Sequence, residues 1–265
     1  DGAFGAVKQD GSVITWGDID SSSVESEISS VTSALSSSVS FVATKDDGSA
    51  VIWGGRSYDG FKLGSELSAG VKKLIANSYA FVALTGNGEA VAWGAPDRGG
   101  DSLHCKNFLS SGVVDIFPFS TAFVAMNSSG AICCWGDPDW GGNCLAASRT
   151  KYSTVVIARS AAAALHRDGS VFTWGDSTMT DTSAVSSLLT SEVRSIHPLY
   201  NGFLAVREDG VLVCWGASSG GNDCSEARAV SPGASIVHIF YTAGASGIVD
   251  SSGGMQVWGD PERGG

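Results

Sequence analysis

The chain has 265 residues, of which 16% are charged and 35 are glycine, and its formal net charge is −11. An acidic surface repels phosphate backbones and no apolar run reaches the roughly 18 residues of a membrane-spanning helix, so we predict neither a nucleic-acid partner nor membrane insertion. The sequence begins with Asp1 and shows no signal peptide, which indicates a processed or excerpted chain.

A fifteen-residue unit that ends in Trp-Gly recurs along the whole chain. Its best copy reads AFVALTGNGEAVAWG, and in every copy a glycine stands five residues before the Trp, preceded by Asp, Asn or Ser. Such pairs supply the positive φ of a tight reversal, and short flanks rich in Val, Ala, Phe and Trp suit half-buried strands. Each copy therefore predicts a β-hairpin. The hairpins span residues 3–17, 40–54, 80–94, 122–136, 161–175, 202–216 and 245–259.

The segments between the hairpins each carry a further strand-like run after a loop rich in Ser and Gly. The clearest runs are 71–75, 113–117, 193–196 and 236–240. The segment 20–38 aligns with these connectors and is rich in serine, so we predict loop and strand there rather than helix. Three strands per repeat are expected, with room for a short outer fourth strand.

Seven all-β repeats of about 40 residues suit a β-propeller, because radial repetition leaves only short, protected sheet edges. The alternative is an open β-solenoid, whose repeats are generally shorter. We therefore predict an all-β fold, a seven-bladed β-propeller with blades of three to four antiparallel strands, in one domain over residues 1–265. The recurrent tryptophans would form the blade core, with glycine beside each one permitting close approach. They are Trp16, Trp53, Trp93, Trp135, Trp174, Trp215 and Trp258.

The seven hairpins are joined by only six connectors. Either the first blade is incomplete, or the chain is a window of a longer repeat protein. We favour the second interpretation, because Gly264-Gly265 stops within a repeated motif.

The hairpin pattern Asp-Gly-x-Val-x-x-Trp-Gly, followed by a Gly-rich loop, resembles the regulator of chromosome condensation repeat. The resemblance covers essentially the whole chain and implies a seven-bladed propeller. The His-Ser that the family usually carries is replaced here by segments such as SYAF and STAF. Its Gly-Arg-Leu-Gly after the Trp is replaced by Gly-Gly. These departures indicate a divergent branch of the family.

Four of the cysteines repeat one spacing. Cys134 and Cys214 each precede a repeat Trp, and Cys144 and Cys224 each follow that Trp by nine residues. Two loops on nonadjacent blades cannot share one metal ion, two thiolates make a poor zinc site, and no Cys-x-x-Cys is present. The spacing therefore favours two disulfide bonds, Cys134–Cys144 and Cys214–Cys224, over a metal or redox site.

The other two cysteines leave two alternatives open. On a strand, Cys133 points opposite to Cys134, so it can bond Cys105 in the preceding connector without competition. Otherwise Cys105 and Cys133 are two buried thiols. Disulfide bonds in either case indicate an oxidising compartment, so we predict a secreted, cell-surface or organelle-lumen protein.

Motifs for catalysis, cofactors and metals are missing. There is no Gly-x-Ser-x-Gly elbow and no Walker loop, and the segment KDDGSA lacks the downstream Glu of a calcium loop. The four histidines do not align in the repeat, and none lies near a second ligand at metal spacing. They are His104, His166, His197 and His238. We predict no enzyme, no cofactor and no metal, with a site assembled at a central channel as the catalytic alternative.

One class of loop recurs after the Trp, in residues 95–101, 137–143 and 260–265, and combines Pro with Gly-Gly. Its variable tips are the interface candidates, because exposed Trp and Arg are typical anchors of protein interfaces. They are Asp97, Arg98, Asp139, Trp140, Glu262 and Arg263. Trp140 either anchors a partner or folds back over its own disulfide.

The function predicted from these features is a noncatalytic protein-binding or assembly scaffold, an accessory subunit of a larger, extracytoplasmic assembly. The family resemblance implies a signalling alternative, a guanine nucleotide exchange factor or a UV-B photoreceptor. The Gly-Trp-Arg-His-Thr cluster of the photoreceptor does not occur here. Asn127, in an Asn-Ser-Ser sequon at a hairpin turn, is a candidate for N-glycosylation.

Overall fold

The computed structural model describes residues 3–18, 28–38, 40–54, 67, 70–144, 151–217, 223–225, 227–231, 233–263 and 265. Twenty strands form seven antiparallel sheets in this part of the chain, and all seven predicted hairpins are present. Sheet 1 has two strands, and sheets 2 to 7 have three each.

The strands follow one another in chain order within each sheet. Sheet 1 holds β1 (Ala3–Val7) and β2 (Val13–Gly17); sheet 2 holds β3 (Val31–Ser36), β4 (Phe41–Lys45) and β5 (Ala50–Trp53); sheet 3 holds β6 (Val71–Ala76), β7 (Ala80–Thr85) and β8 (Ala90–Gly94). Sheet 4 holds β9 (Val113–Pro118), β10 (Ala122–Asn127) and β11 (Ile132–Gly136); sheet 5 holds β12 (Tyr152–Ala158), β13 (Ala161–His166) and β14 (Val171–Gly175). Sheet 6 holds β15 (Val193–Leu199), β16 (Gly202–Arg207) and β17 (Leu212–Gly216); sheet 7 holds β18 (Ile236–Tyr241), β19 (Ala245–Asp250) and β20 (Met255–Gly259).

The hairpin turns combine a β-turn with one left-handed glycine. In sheet 1, Gly11 N donates to Lys8 O at 3.0 Å, and Lys8 N donates to Ser12 O at 2.8 Å. Gly11 has a φ of 78°, which favours glycine. The Asp10 side chain accepts the Ser12 N–H at 2.9 Å. The glycine therefore supplies the backbone conformation, and the Asp stabilises the turn through its carboxylate.

The connectors contribute the first strand of each three-stranded sheet, as predicted. A β-bulge lies near the start of that strand: in sheet 3, Val71 pairs with Thr85 but Lys73 pairs with Leu84. Among the described residues no sheet has a fourth strand. The connectors instead hold two short helices, α1 (Lys106–Leu109) and α2 (Ser177–Thr180), and turns of 3-10 helix.

In sheets 2, 3, 4 and 6 the core centres on a Phe–Trp pair that packs against the preceding sheet. In sheets 5 and 7 the Trp lies opposite Ala162 and Ser246 instead. Phe123 and Trp135 stack at 5.6 Å, are fully buried, and pack against Val82 and Leu84 of sheet 3. This is the packing predicted for the recurrent tryptophan. Trp16 differs, with 51% of its surface exposed. No earlier sheet exists among the described residues to cover its ring.

The chain divides into two compact units. The first comprises residues 1–128 and 133–137, and the second comprises residues 129–132 and 138–265. One domain over residues 1–265 stays a prediction. Among the described helices, none has the length and apolar character needed to cross a membrane.

Candidate interaction site

Each of the three predicted tip loops is fixed to the turn between the first and second strands of its own sheet. One backbone hydrogen bond makes each connection. The bonds run from Ala95 N to Tyr79 O (3.1 Å), from Asp137 N to Thr121 O (3.1 Å) and from Asp260 N to Gly244 O (2.9 Å). Each loop then forms one turn of 3-10 helix, at Pro96–Arg98, Pro138–Trp140 and Pro261–Arg263. The tip residues are therefore held at the end of the sheet where the first strand turns into the second.

Asn77 joins the turn to the tip loop in sheet 3. Its Oδ1 accepts the N–H groups of Tyr79 and Ala80, both at 2.7 Å, and its Nδ2 donates to Arg98 O at 2.8 Å. The residue is 8% exposed, so these bonds are shielded from water. Asn77 thereby fixes the position of the loop tip.

Thr242 joins the turn to the tip loop in sheet 7, as Asn77 does in sheet 3. Its Oγ1 accepts the N–H groups of Gly244 at 3.2 Å and Ala245 at 3.0 Å, and lies 3.4 Å from Arg263 O, to which it donates. Sequence reasoning missed both Asn77 and Thr242. The available signal was that both residues can cap a turn with the side chain and both stand three positions before the paired second strand.

The charged head of Arg98 lies over an aromatic ring. Its Cζ is 4.0 Å from the centroid of Tyr79, and its Nε is 3.9 Å from the Asp97 carboxylate. The side chains of Arg98 and Asp97 are 41% and 81% exposed. An exposed ion pair of this kind contributes about 0–1 kcal/mol to stability, so both charges remain available to a partner.

Arg263 repeats this arrangement in the second unit without the aromatic ring. Its side chain crosses Gly244, where a Cβ atom would overlap the arginine stem. Its Nε lies 3.4 Å from the Asp260 carboxylate, and the neighbouring Glu262 is exposed. Glycine in the turn is needed here because the arginine approaches the backbone so closely.

Trp140 occupies the loop position that Arg98 and Arg263 occupy elsewhere. Its side chain is 43% exposed, which leaves a large apolar surface in contact with solvent, and Asp139 beside it is exposed. The structure brings the same loop geometry to all three tips. Their role in an interface stays a prediction.

The Gly-Gly pair of these loops binds the repeat tryptophan of the next sheet. Trp135 Nε1 donates to Gly99 O at 2.9 Å, and Trp174 Nε1 donates to Gly141 O at 3.2 Å. Gly99 has a φ of 107°, and a Cβ there would lie 2.6 Å from the Phe123 ring. Glycine is therefore required both by the backbone conformation and by the close approach of the next sheet.

The repeat tryptophan of sheet 6, Trp215, is not preceded by a Gly-Gly loop. The segment that follows Trp174 has no Gly-Gly and forms α2 instead. Met179 of this helix packs in the cluster that contains Trp215. The buried indole N–H of Trp215 has no hydrogen-bond partner among the described residues.

A polar groove of about 440 Å³ opens at the turn end of the first unit. It is lined by residues 36–38, 76–78 and 118–120, which are the first turns of sheets 2, 3 and 4. Backbone hydrogen bonds from Ser38 N to Ser78 O (2.8 Å) and from Ser78 N to Ser120 O (3.4 Å) connect the three turns. Asn77 contributes to this lining and also holds Arg98, so the groove and the sheet 3 tip adjoin.

The cysteines are all engaged in disulfide bonds. Cys105 bonds Cys133 and Cys214 bonds Cys224. Cys134 and Cys144 are disulfide-bonded as well, and no free cysteine occurs in the described part of the chain. Of the two alternatives for Cys105 and Cys133, the structure has the bridge. Three such pairs fit an oxidising compartment.

One cluster has the composition of a metal site. The ligand atoms of His104, Cys105 and Cys133 lie within 4.8 Å of one another. Both sulfur atoms belong to a disulfide bond, so they do not offer the thiolates that zinc binds. His104 Nε2 lies 2.8 Å from Cys134 O, which indicates a structural hydrogen bond.

A Ser–His pair lies on β15. His197 Nε2 is 3.0 Å from Ser195 Oγ, and burial lowers the pKa of His197 below its ordinary value, which favours the neutral ring. Within the described ranges, the side-chain hydrogen-bond partner of the imidazole is the Ser195 hydroxyl. Asn127 is partly buried at the end of β10, and its glycosylation stays a prediction.

No protein-family model matches the chain, and no curated protein matches its sequence. Human WBSCR16 is similar in structure, with 15% identity, a TM-score of 0.50, and 88% of this chain and 78% of that chain covered. Prp20p of Saccharomyces cerevisiae has 15% identity, a TM-score of 0.45 and coverages of 88% and 72%. The CRINKLY WD40 ectodomain of the Arabidopsis thaliana receptor kinase ACR4 has 12% identity, a TM-score of 0.45 and coverages of 97% and 90%.

Such identities bear on the fold alone. The seven sheets are the blades of an all-β propeller fold, as predicted. The resemblance to the regulator of chromosome condensation repeat is confirmed at the level of fold, as that of a divergent propeller.

Proposed function

We propose that this chain is a noncatalytic protein-binding module of an extracytoplasmic, oxidising compartment and an accessory subunit of a larger assembly. The residues that would meet a partner are the loop tips, Asp97-Arg98 in the first unit and Asp139-Trp140 and Glu262-Arg263 in the second. The observation that carries the proposal is that the two arginine tips are each held by a side-chain cap, from Asn77 or Thr242, while their charges face solvent.

The rigidity of the loop tips matters because a flexible loop or side chain must be ordered when a partner binds, and this ordering lowers the affinity. Immobilising one flexible side chain costs about 0.5–1.5 kcal/mol on association. Arg98 is already stacked on Tyr79, and its carbonyl is already bonded. Arginine and tryptophan are also the residue types that most often dominate interface energies. The tips therefore combine suitable side chains with a geometry set before the partner arrives.

The compartment is inferred from the cysteines. Disulfide bonds persist in secreted, cell-surface and lumenal proteins and are reduced in the cytosol. Peptide mapping without reductant, on protein isolated from the cells that make it, should recover the bridges Cys105–Cys133 and Cys214–Cys224. Free thiols at these four positions would contradict the proposed compartment and reopen the signalling alternative.

The binding surface can be tested with a triple variant, Arg98→Ala, Trp140→Ala and Arg263→Ala. The immobilised chain would be exposed to the extracellular fraction of the producing cells, and captured proteins would be quantified by mass spectrometry. Arg167→Ala is the matched control, since it removes an exposed arginine from a hairpin turn. We expect one partner to be retained by the wild type and the control and lost by the triple variant. A partner retained equally by all three proteins would refute the proposed surface.

A further inference from the structure

The polar groove at the turn end of the first unit is lined mostly by small, uncharged side chains. Five of its nine lining residues are serines, one is Asn77, and none of the nine carries a formal charge. The apolar members are Ala76, Pro118 and Phe119, and the last of these is only 3% exposed. The volume of about 440 Å³ lies within the range of about 300–1,000 Å³ that is typical of small-molecule sites. The groove therefore has the size of a ligand site without the apolar lining that most such sites have.

Serine recurs at one turn position in the three sheets that form the groove. This position stands three residues before the second-strand residue that pairs with or stacks on the repeat tryptophan, and Ser38, Ser78 and Ser120 occupy it in sheets 2, 3 and 4. In sheets 5, 6 and 7 the position is occupied by other residues, which are Arg159, Tyr200 and Ala243. The turn between the first and second strands therefore forms without serine, so the turn itself does not explain the shared serines.

The groove is held in shape by main-chain hydrogen bonds. Ser38 N donates to Ser78 O at 2.8 Å, and Ser78 N donates to Ser120 O at 3.4 Å, while all three residues remain exposed. Asn77 caps the middle turn with its side chain. Because these bonds fix the spacing of the three turns before any ligand binds, little affinity is lost to ordering the site.

The lining indicates which chemical class of ligand fits. Phosphates, carboxylates and metal ions are bound in proteins mainly by charged groups, and no residue of this lining is charged. An apolar anchor needs an apolar pocket, whereas among these lining residues only Pro118 is both apolar and exposed. Serine hydroxyls both donate and accept hydrogen bonds, as the hydroxyls of sugars do. A neutral carbohydrate is therefore the class of ligand whose groups match the groove.

We propose that the groove formed by the first turns of sheets 2, 3 and 4 is a binding site for a neutral oligosaccharide. The hydroxyls of Ser38 and Ser78 exchange hydrogen bonds with sugar hydroxyls, and Pro118 contacts the C–H face of a sugar ring. The oligosaccharide site and the protein-binding loop tips are separate proposals, and either can fail without the other.

The first test is a screen of the whole purified chain against immobilised oligosaccharides. The set contains neutral oligosaccharides of glucose, galactose, mannose and N-acetylglucosamine, with sialylated and sulfated oligosaccharides beside them. We expect saturable binding to at least one neutral oligosaccharide, measured again in solution by isothermal titration calorimetry. Binding to none of the neutral members, or to the acidic members alone, would overturn the proposal.

Two double variants test the position of the site. Ser38→Ala with Ser78→Ala removes two hydroxyls and leaves the backbone bonds between the turns in place, so the sheets are expected to form. This variant should bind the neutral oligosaccharide found in the screen about tenfold more weakly, as expected for the loss of two hydrogen bonds. Ser111→Ala with Ser191→Ala is the matched control and should preserve binding, since both serines are exposed and lie outside the groove lining. Equal affinities of the two double variants would count against the serine-lined groove.

The wild-type chain supplies a measurement that does not depend on the folding of any variant. Its amide chemical shifts would be followed by NMR as the same oligosaccharide is added. The changes should centre on residues 36–38, 76–78 and 118–120, which line the groove. Changes centred on other residues, the loop tips included, would assign the sugar to a different surface and overturn the proposal.

Discussion

Two tryptophans allow a matched test of whether the Gly-Gly loop stabilises the sheet that follows it. Trp135 and Trp215 are 0% and 3% exposed, and they stack on Phe123 and Phe203 at 5.6 and 5.4 Å. Trp135 Nε1 donates to Gly99 O at 2.9 Å, whereas Trp215 Nε1 has no partner among the described residues. Replacing each Trp by Phe keeps an aromatic ring and removes the indole N–H.

The two replacements shrink a buried ring by the same amount, so the packing loss largely cancels in their difference. Trp135→Phe also leaves the buried carbonyl of Gly99 unpaired, which costs about 1–3 kcal/mol. Trp215→Phe removes a buried donor without a partner, which relieves a cost of about 1–3 kcal/mol. We therefore expect Trp135→Phe to lower the free energy of unfolding by at least about 2 kcal/mol more than Trp215→Phe.

The difference can be measured by urea unfolding followed by circular dichroism at neutral pH. Because the two tryptophans belong to different compact units, hydrogen exchange in β10 and β16 should be measured in parallel, so that each sheet reports its own stability. Equal losses in the two variants, or a larger loss for Trp215→Phe, would show that the hydrogen bond to Gly99 does not stabilise the sheet.

A Cβ at Gly99 would lie 2.6 Å from the Phe123 ring, whereas Gly112, also at positive φ, has nothing within 4 Å. Gly99→Ala should therefore lower the free energy of unfolding by about 1–3 kcal/mol more than Gly112→Ala in urea titrations, and equal losses would leave backbone strain as the sole cause. The hydroxyl and N–H of Ser49 hold the pKa of Asp47 below its ordinary value, so this carboxylate adds stability that is lost as the pH falls through its folded-state pKa. Ser49→Ala should raise the pKa of Asp47 in a carboxyl ¹³C NMR titration and reduce this acid-linked loss, and an unchanged pKa would contradict the assignment.

The hairpins could be predicted because their determinants are local. A turn glycine five residues before each Trp, with a side-chain acceptor before it in most copies, is readable in one window of sequence. The first strands were also accessible, since runs such as 71–75 stand between clear loop signals. The cysteine spacing predicted bonds at Cys214 and Cys224 for the same reason, because one short loop was closed in the same way twice.

The contacts that hold the loop tips could not be predicted in this way. Asn77 binds Arg98 across 21 residues, and Thr242 binds Arg263 across a similar separation, so each contact depends on the assembled sheet. The unpaired indole of Trp215 likewise follows from the helix that replaces a loop in the preceding connector. The exposure of Trp16 depends on the packing of neighbouring sheets, and a repeat alignment treats sheet 1 as equivalent to all the others.

The tip loop separates two tasks at adjacent residues. Gly99 is buried; its carbonyl accepts the Trp135 N–H, and its lack of a side chain leaves room for the Phe123 ring of the next sheet. Arg98 is partly exposed, and its carbonyl accepts a hydrogen bond from Asn77. A change at position 98 is therefore expected to alter the proposed contact surface with little effect on the sheets. The loop at Trp140 is built this way as well, since Gly141 accepts the bond from Trp174. Different tip residues on one glycine framework are what a binding surface requires if its specificity is to vary while its scaffold is preserved.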